Sequence, residues 1–460
     1  MRRFVSQYLQ AWLTSRLRKP MVMRGARQAG KTWLVRHLAK AAGKQLIEIN
    51  FEKNPELYSA FSSNEPPIIL RSIELTLAIK INVAHSILFL DEIQSHPDLL
   101  AKLRWFYELL PELPIIVAGS LLDFALDDHE FSMPVGRITY VHVEPLSFIE
   151  FLWAKKLDDL VSFLSEWQLN SEIPSVVHVK LINLFREFLA IGGMPAAVFA
   201  WCETYSLHEV ALAHSDLLLN YRDDFSKYAG KISTSHLEDV MSAVPRMLGQ
   251  KFIYSHVNGD VNGLALKNAL NLLCKARVCF KVRVTAANGL PLLAEVNNKR
   301  FKVGLLDIGL VSALLNLRLN QFESTDDLNL INQGAISEQV VGQLLRTIDP
   351  PYVEANNFYW CREERNASAE VDYVIQHAQH VIPIEVKSGK TGSMKSLQLF
   401  MQLKKRKLAV RINSDTPSLV DVNMRGRGGE NIKYQLFSIP FYLINELHRL
   451  LDANLKIMLM

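Results

Sequence analysis

The segment GARQAGKT constrains this sequence more than any other, because it lies between two different hydrophobic patterns. A short apolar run at residues 21–23 predicts a buried strand before it, and a helical apolar face starts at Leu34 after it. The glycines at both ends, followed by Lys31 and Thr32, have the spacing of a phosphate-binding loop. A chance glycine loop is a poor alternative, since the strand–loop–helix order agrees with the motif.

Each residue type in this loop has a physical task. Glycines let the backbone close around phosphates, and successive N–H groups with the helix N-terminus bind the anion. Lys31 reaches the β- and γ-phosphates and is predicted to be catalytic, while Thr32 offers a hydroxyl to Mg²⁺. The predicted nucleotide-binding residues are Gly25, Ala26, Arg27, Gln28, Ala29, Gly30, Lys31 and Thr32.

A second, acidic element completes such a site, and the segment HSILFLDEIQ supplies it. Residues 87–90 are an unbroken apolar run, as in buried parallel strands, and Asp91 and Glu92 follow at the carboxyl end. Ligands bind at this end of parallel strands. We expect Asp91 to hold Mg²⁺ and Glu92 to orient or deprotonate the attacking water, which indicates hydrolysis of the nucleotide.

Two later residues are candidates for the same site. Ser120 ends the apolar segment LPIIVAGS, where it is placed to sense the γ-phosphate or the water. Arg137 precedes another apolar strand in VGRITYVHVEP. Two interpretations of Arg137 stay open: a catalytic finger that reaches the nucleotide of a neighbouring subunit, or a surface arginine.

This order of strand, loop, acidic strand, polar-ended strand and late arginine resembles the AAA+ ATPase family over the first third of the chain. The resemblance implies ATP and Mg²⁺ as cofactors, a helical lid over the nucleotide, and a ring or another ATP-linked homo-oligomer. Ser120 departs from the family, in which Asn or Thr is commoner at this point, and no second-sensor arginine is evident in the sequence.

Composition sets broader limits on the chain. Its 460 residues, of which 49% are hydrophobic and 21% charged, predict a soluble protein of two to four domains. The net charge of +4 does not require a nucleic-acid partner, so only a local basic surface would support one. No apolar stretch has the length of a membrane span, and the four cysteines form no C-x-x-C pair. We therefore expect a cytoplasmic protein without membrane contact.

Beyond Pro145 the hydrophobic pattern becomes helical. PLSFIEFLWAKKL and LINLFREFLAIGGMPAAV predict lid helices, the second of which stops at Gly192 and Gly193. Farther along, helices followed by strands resemble a winged helix-turn-helix, whose helix at residues 267–273 would lie in a DNA groove. The alternative is a packing module built from the same helices. The polar side chains of the predicted DNA-contacting helix that could read bases are Lys267, Asn268 and Asn271.

Acidic residues and a lysine recur in order near the C-terminus. Glu338 shares a partly apolar helix face in INQGAISEQVVGQLLRTI. Asp372 lies on the face opposite Val371 and Tyr373 in the alternating segment AEVDYVIQ, and Glu385 and Lys387 share one face of VIPIEVKSGK. Each residue alone is ordinarily a solvated surface group, or part of a surface ion pair.

The order of helix Glu, strand Asp and strand Glu-x-Lys resembles the PD-(D/E)xK nuclease fold. The resemblance implies that Glu338, Asp372 and Glu385 coordinate one or two divalent ions, Mg²⁺ or Mn²⁺. It also implies a catalytic pair in which Lys387, beside Glu385, positions the water and stabilises the phosphate. Val371 departs from the Pro of the motif name and leaves the metal ligand intact.

Taken whole, the sequence resembles prokaryotic AAA+ ATPases with a C-terminal domain of unknown function that has a PD-(D/E)xK-like core, also called archaeal-ATPase-like proteins. The segments GARQAGKT, FLDEIQ, GGMP, LLDIGL and IPIEVKSGK carry this resemblance. The expected class is α/β, with a P-loop AAA+ parallel sheet. The expected domains are the ATPase core (1–150), the helical lid (151–228), a winged-helix-like domain (229–320) and a nuclease-like α/β domain (321–460).

Three interpretations of function remain open at this point. In the first, ATP turnover controls a metal-dependent nuclease that acts on DNA. In the second, the C-terminal fold only binds DNA or a partner, with the basic run QLKKRKLAVR from Gln402 as a phosphate-contacting surface or simply a solvated helix end. In the third, the chain is a nucleotide-dependent switch that reports to a protein partner.

Overall fold

The computed structural model describes residues 1–119, 133–169, 171–228, 232–316, 333–364, 367–388, 393–426 and 429–459. Two β-sheets organise these residues, one in the N-terminal and one in the C-terminal part of the chain. Within the described ranges, no helix is both long and apolar enough to cross a membrane.

Five parallel strands form the N-terminal sheet. They are β1 (Met21–Gly25), β2 (Gln45–Asn50), β3 (Ser86–Asp91), β4 (Ile115–Ala118) and β5 (Thr139–Val143). Their order across the sheet is β2-β3-β4-β1-β5. Strands β3 and β4 are buried along their whole length, since helices cover both faces, and this explains their unbroken apolar runs. The predicted parallel α/β core is confirmed.

Four helices cover the two faces of this sheet: α1 (Phe4–Thr14), α2 (Lys31–Ala41), α3 (Pro66–Leu77) and α4 (Leu99–Leu109). Alternate residues of β3 face opposite ways. Ile87 and Phe89 belong to the apolar cluster with α1 and α2, and Leu88 and Leu90 to the cluster with α3 and α4. This packing presents the carboxyl ends of β1 and β3 at one edge of the sheet.

A bundle of helices follows the sheet, as the helical pattern after Pro145 predicts. It comprises α5 (Phe148–Ala154), α6 (Asp158–Glu166), α7 (Ser175–Ile191), α8 (Pro195–Thr204) and α9 (Leu207–Tyr228). A capping box starts α5, in which Ser147 accepts from the Glu150 N–H and Glu150 accepts from the Ser147 N–H.

The C-terminal sheet has eight strands. They are β6 (Cys279–Thr285), β7 (Val296–Leu305), β8 (Asn357–Glu364), β9 (Ala367–His377), β10 (His380–Val386), β11 (Leu408–Asn413), β12 (Ser418–Arg425) and β13 (Asn431–Pro440). Their order is β12-β13-β11-β10-β9-β8-β6-β7. The helices around it are α10 (Thr234–Ala243), α11 (Gly263–Lys275), α12 (Ile308–Leu314), α13 (Gln333–Leu345), α14 (Lys395–Lys404) and α15 (Leu447–Leu459).

The hairpin of β6 and β7 is not a separate wing. Helices α10 and α11 precede it in the order expected of a winged helix, but β6 also pairs in parallel with β8, so that Arg283 lies opposite Phe358. The predicted winged helix is therefore not confirmed. A boundary near residue 320 would divide one continuous sheet.

The motifs GGMP and LLDIGL meet in a close backbone contact between the helical bundle and the C-terminal part. The Gly193 N–H donates to Asp307 Oδ2 at 2.6 Å, and Asp307 Oδ1 caps α12 by accepting from the Gly309 N–H at 2.9 Å. A side chain at Gly192 would overlap the Asp307 carboxylate, and one at Gly309 would overlap the Ile191 carbonyl oxygen. Small residues are required here because two backbones approach.

We predict that Gly309→Ala destabilises the protein by about 1–3 kcal/mol, because the added methyl forces the two backbones apart. Gly334→Ala is the matched control, since no atom lies within 4 Å of a Cβ at that helical position. Thermal unfolding of both variants checks this. Equal melting temperatures for Gly309→Ala and the wild type would contradict the close contact.

Candidate functional site

The predicted phosphate-binding loop connects β1 to α2, and its backbone curls around the ammonium of Lys31. Lys31 Nζ donates to the carbonyl oxygens of Gly25 at 2.9 Å and of Ala26 at 2.8 Å. The turn uses left-handed backbone at Gln28 (φ 61°) and Gly30 (φ 97°). Burial, which outweighs the nearby carboxylates, lowers the pKa of Lys31 to about 8. A bound phosphate would supply the anion that this buried cation lacks.

Thr32 and Asp91 meet at the edge of the sheet where β3 ends. Thr32 Oγ1 donates to Asp91 Oδ2 at 2.9 Å, which joins the loop to the acidic strand. Burial, and then the charge of Glu92, raise the pKa of Asp91 to about 6. A hydroxyl and a carboxylate are the hard oxygen ligands that Mg²⁺ prefers, so these two residues fit the implied ion.

Glu92 lies next to this pair in a left-handed backbone conformation (φ 53°), which turns its side chain away from the strand direction. Gln94 Nε2 donates to Glu92 Oε2 at 2.7 Å, while Gln94 Oε1 is buried without a hydrogen-bond partner among the described residues. A side chain at Gly119 would collide with the Gln94 amide. Gln94 therefore holds the predicted catalytic carboxylate, and its position in FLDEIQ is the signal that sequence reasoning passed over.

The loop is anchored from the N-terminus of the chain. Arg3, whose side chain is 4% exposed, donates to the Ala29 carbonyl oxygen at 3.1 Å, to Glu150 Oε1 at 3.0 Å and to the Glu144 carbonyl oxygen at 2.6 Å. One guanidinium thus joins the loop, the segment after β5 and helix α5. Its distance of 147 positions from Glu150 hid this role in the sequence.

The loop is also bonded directly to the last helix of the bundle. Tyr221 Oη donates to the Arg27 carbonyl oxygen at 2.9 Å, and Arg27 Nη1 lies 2.7 Å from Asp224 Oδ2. Both α9 residues are buried, Tyr221 at 1% exposed and Asp224 at 3%. A change in the loop therefore reaches α9 through two contacts.

The structure says less about Ser120 and Arg137, the two remaining predicted residues of the ATPase site. Ser120 lies outside the described residues. Arg137 is about two-fifths exposed, and its Nε lies 3.1 Å from Glu108 Oε1 of the same chain, so it does not reach the Thr32–Asp91 pair. Its role as a finger toward another subunit stays a prediction.

The four residues of the C-terminal motif lie together on the second sheet. Ile384 pairs with Tyr373 across β9 and β10, which brings Asp372 beside Glu385. Lys387 Nζ lies 2.6 Å from Glu385 Oε1, and Asp372 Oδ2 accepts from the Val386 N–H at 2.7 Å. Burial, and then the charge of Asp372, raise the pKa of Glu385 to about 7.

Lys302 of β7, which the sequence did not single out, enters this acidic group. Its ammonium lies 2.9 Å from Glu338 Oε2 and 2.5 Å from Glu370 Oε1, and its side chain is 4% exposed. Burial alone would lower the pKa of Lys302, but the charges of Glu338, Glu370 and Asp372 raise it above its ordinary value. The lysine is therefore a permanent cation among the carboxylates.

The predicted three-carboxylate metal site does not fit this arrangement. Among the described residues, no group of three or more His, Cys, Asp or Glu side chains is placed to hold a metal ion. Glu338 is already paired with Lys302, and Glu385 with Lys387. Among the described residues, Glu385 Oε2 is buried without a hydrogen-bond partner. Two of the three predicted ligands are thus held by lysines of the same cluster, which falls short of the free oxygen ligand set expected for Mn²⁺ or Mg²⁺.

Comparison with protein families divides the chain into three matched segments. Residues 17–152 match the family described as AAA domain. Residues 182–321 match a domain of unknown function (DUF8612), and residues 333–424 match another (DUF4143). No curated protein matches the chain.

Several solved structures are similar over much of their length. The Walker-type ATPase PABY2304 of Pyrococcus abyssi is 17% identical, with a TM-score of 0.43, over 67% of this chain and 94% of its own. The Aeropyrum pernix ORC1 protein in complex with DNA is 12% identical, with a TM-score of 0.26, over 68% and 90%. The Thermotoga maritima RuvB Holliday junction branch migration motor is 12% identical, with a TM-score of 0.29, over 61% and 90%. TM-scores below 0.5 do not establish a shared overall fold.

The family match coincides with the geometry of the loop and its partners. It covers the five parallel strands, the loop around Lys31 and the Thr32–Asp91 pair. Residues 17–152 therefore match the AAA domain over a segment that has the sheet and loop geometry of a P-loop nucleotide-binding domain, which supports ATP binding and hydrolysis.

Proposed function

We propose that this chain is an ATPase whose nucleotide state controls nucleic-acid binding by the residues that follow the AAA domain, and that its nuclease-like site does not cut. The observation that carries nucleotide control is the direct bonding of the P-loop to α9 through Tyr221 and Asp224. Control of this kind needs a loop that changes with nucleotide and an element that responds to it.

The ATPase step uses residues already in contact. Lys31 exchanges its two carbonyl partners for phosphate oxygens, and the loop N–H groups at the start of α2 bind the same anion. Mg²⁺, held by Thr32 and Asp91, would neutralise charge that develops on the phosphates. Glu92, released from Gln94, orients the attacking water.

A second set of contacts supports transmission to the C-terminal sheet. Arg346, which directly follows α13, forms a bidentate ion pair with Glu144, which directly follows β5. Arg346 Nη2 lies 2.7 Å from Glu144 Oε1, and Arg346 Nε lies 3.2 Å from Glu144 Oε2. The His142 N–H of β5 donates to the Pro351 carbonyl oxygen at 2.7 Å. The N-terminal sheet is thus bonded to the C-terminal part at β5 and the residue that follows it, while the P-loop is bonded to α9.

Two charge patterns support a nucleic-acid ligand and a silent nuclease-like site. Residues 267–283 contain five basic and no acidic side chains: Lys267, Lys275, Arg277, Lys281 and Arg283. Such a local excess attracts phosphates although the whole chain is nearly neutral. In the nuclease-like site, Lys302 supplies the positive charge that a metal ion would otherwise bring to Glu338 and its neighbours.

We predict that Lys31→Ala weakens ATP binding by roughly tenfold or more, because a charge-assisted contact to the phosphates is lost. We expect Glu92→Gln to bind ATP normally and to retain it unhydrolysed, because the water loses its base. Lys40→Ala and Glu56→Gln change exposed charges in the same domain and are the matched controls. ATP binding by titration and phosphate release measure both effects. Normal turnover by Lys31→Ala and Glu92→Gln would refute this site.

We predict that Lys302→Met lowers stability by about 3–5 kcal/mol, because it leaves buried carboxylates without their counter-charge. Adding Glu338→Gln to this variant recovers part of the loss, and Mn²⁺ without nucleotide stabilises Lys302→Met but not the wild type. Lys299→Met, at an exposed position of the same strand, is the control. Thermal unfolding with chelator or Mn²⁺ provides the measurement.

The same proposal predicts that wild-type protein leaves labelled single- and double-stranded DNA intact in Mg²⁺ or Mn²⁺, with and without ATP. Cutting that disappears in Lys387→Ala would overturn the silent site and restore the nuclease interpretation. Cutting that persists in Lys387→Ala would show that Lys387 is not needed for it and would assign the activity to a site other than the nuclease-like one.

A further inference from the structure

A basic cleft of about 810 Å³ lies between the AAA sheet and the C-terminal part of the chain. Its walls come from the end of β1, from α11, from β6 and from the segment that includes Glu354, Ala355 and Asn356. Among the described residues that line the cleft, Glu354 is the only acidic one. The basic ones are Arg24, Lys275, Arg277, Lys281, Arg283 and Arg346.

The local sequence explains how polar side chains reach this cleft. On α11, Asn268, Asn271 and Lys275 are spaced i, i+3 and i+7, so they share one helix face, while the opposite face is buried in the core. On β6, Lys281 and Arg283 are two residues apart and alternate with buried neighbours, so they point to one side of the strand. Helix and strand thus place one polar surface in the cleft.

Two of these cations have no acidic partner. Lys281 Nζ donates to Asn271 Oδ1 at 2.7 Å, and Arg283 Nη1 donates to Asn356 Oδ1 at 3.3 Å. Within the described ranges neither is paired with a carboxylate, in contrast to Arg277, which lies 3.1 Å from Glu354 Oε1. Because the amides are neutral, they do not cancel the positive charge of these two side chains. A wall with a large excess of positive side chains concentrates the field and attracts an anion.

The cleft also adjoins the nucleotide site. Arg24 directly precedes Gly25, the first residue of the P-loop. Gly25 packs so closely on β5 that a side chain there would collide with the Val143 carbonyl oxygen. Arg24 is therefore fixed relative to the loop, while Lys281 and Arg283 belong to the C-terminal sheet. A ligand between them would contact both parts of the molecule.

We propose that this cleft binds the phosphate backbone of a nucleic acid, with Lys281 and Arg283 as phosphate contacts; the inference rests on the proposed function and gives it a location. The cations come from β1, α11 and β6 and from the segments that follow α11 and α13. This spread suits a chain of phosphates that extends through the cleft rather than one compact anion. Three asparagines alternate with them, and their amides both donate and accept hydrogen bonds.

The basic run that starts at Gln402 is the competing surface, and its contacts are internal. Lys404 Nζ donates to Asn288 Oδ1 at 2.6 Å, and Arg406 Nη2 donates to the carbonyl oxygens of Ala287 at 3.0 Å and Asn288 at 2.5 Å. These two side chains fix the turn after β6. In the cleft, by contrast, the hydrogen bonds that Lys281 and Arg283 make among the described residues go to side-chain amides and not to backbone carbonyl oxygens.

The test compares two double variants of the full-length chain by fluorescence anisotropy, with a labelled single-stranded oligonucleotide and a labelled duplex over a salt series. Lys281→Gln/Arg283→Gln keeps hydrogen-bonding side chains in the cleft. Lys405→Gln/Lys407→Gln removes two exposed charges from the competing run. We expect the cleft variant to bind roughly tenfold more weakly, with a salt slope smaller by about 2, and the control variant to bind like the wild type. Unchanged ATP turnover without nucleic acid shows that the cleft variant is folded.

Three results would count against the cleft. Wild-type binding of neither oligonucleotide removes the proposed nucleic-acid function and the cleft with it. Binding that the cleft variant retains in full leaves the proposed function standing and refutes this location. Loss of binding in the control variant assigns the contact to the run after Gln402 instead.

Discussion

The guanidinium of Arg3 is the interaction on which the nucleotide site depends. It is buried, and it bonds at once to the P-loop at Ala29, to Glu150 at the start of α5 and to the backbone at Glu144. A buried cation is stable only when it is paired and hydrogen-bonded, and these three partners meet that requirement together. Arg3 directly precedes α1, and its side chain positions the loop and α5, which lie 26 and 147 positions away in sequence.

The loop and the acidic strand of the candidate nucleotide site could be located from the sequence because their signals are local. The loop residues 25–32 and the Asp91–Glu92 pair each lie where a strand ends, so motif and hydrophobic pattern specify them without tertiary information. Arg3, Tyr221 and Asp224 belong to the same site and had no such signal. Their contacts with the loop span 26 to 197 positions, and no spacing rule links residues so far apart.

The C-terminal part was less predictable for two physical reasons. Parallel pairing of β6 with β8 joins strands that are more than 70 residues apart, and the local order of helices and hairpin fits an independent wing equally well. The four motif residues do come together as the resemblance implied. Lys302 changes what they can bind, and it lies in an ordinary strand, 36 residues before Glu338. Charge balance in a buried cluster depends on every group that faces it, and a motif records only some of them.

The single eight-stranded sheet has a mechanical consequence. Hydrogen bonds between β6 and β8 join the hairpin and the C-terminal strands into one stiff plate, that is, one rigid sheet. The five-stranded sheet is a second such plate. Arg24 lies on one plate, and Lys281 and Arg283 lie on the other. The width of the space between them is therefore set by the angle between the plates, and a rotation of a few degrees at the helices that join them would separate or align all of these cations together.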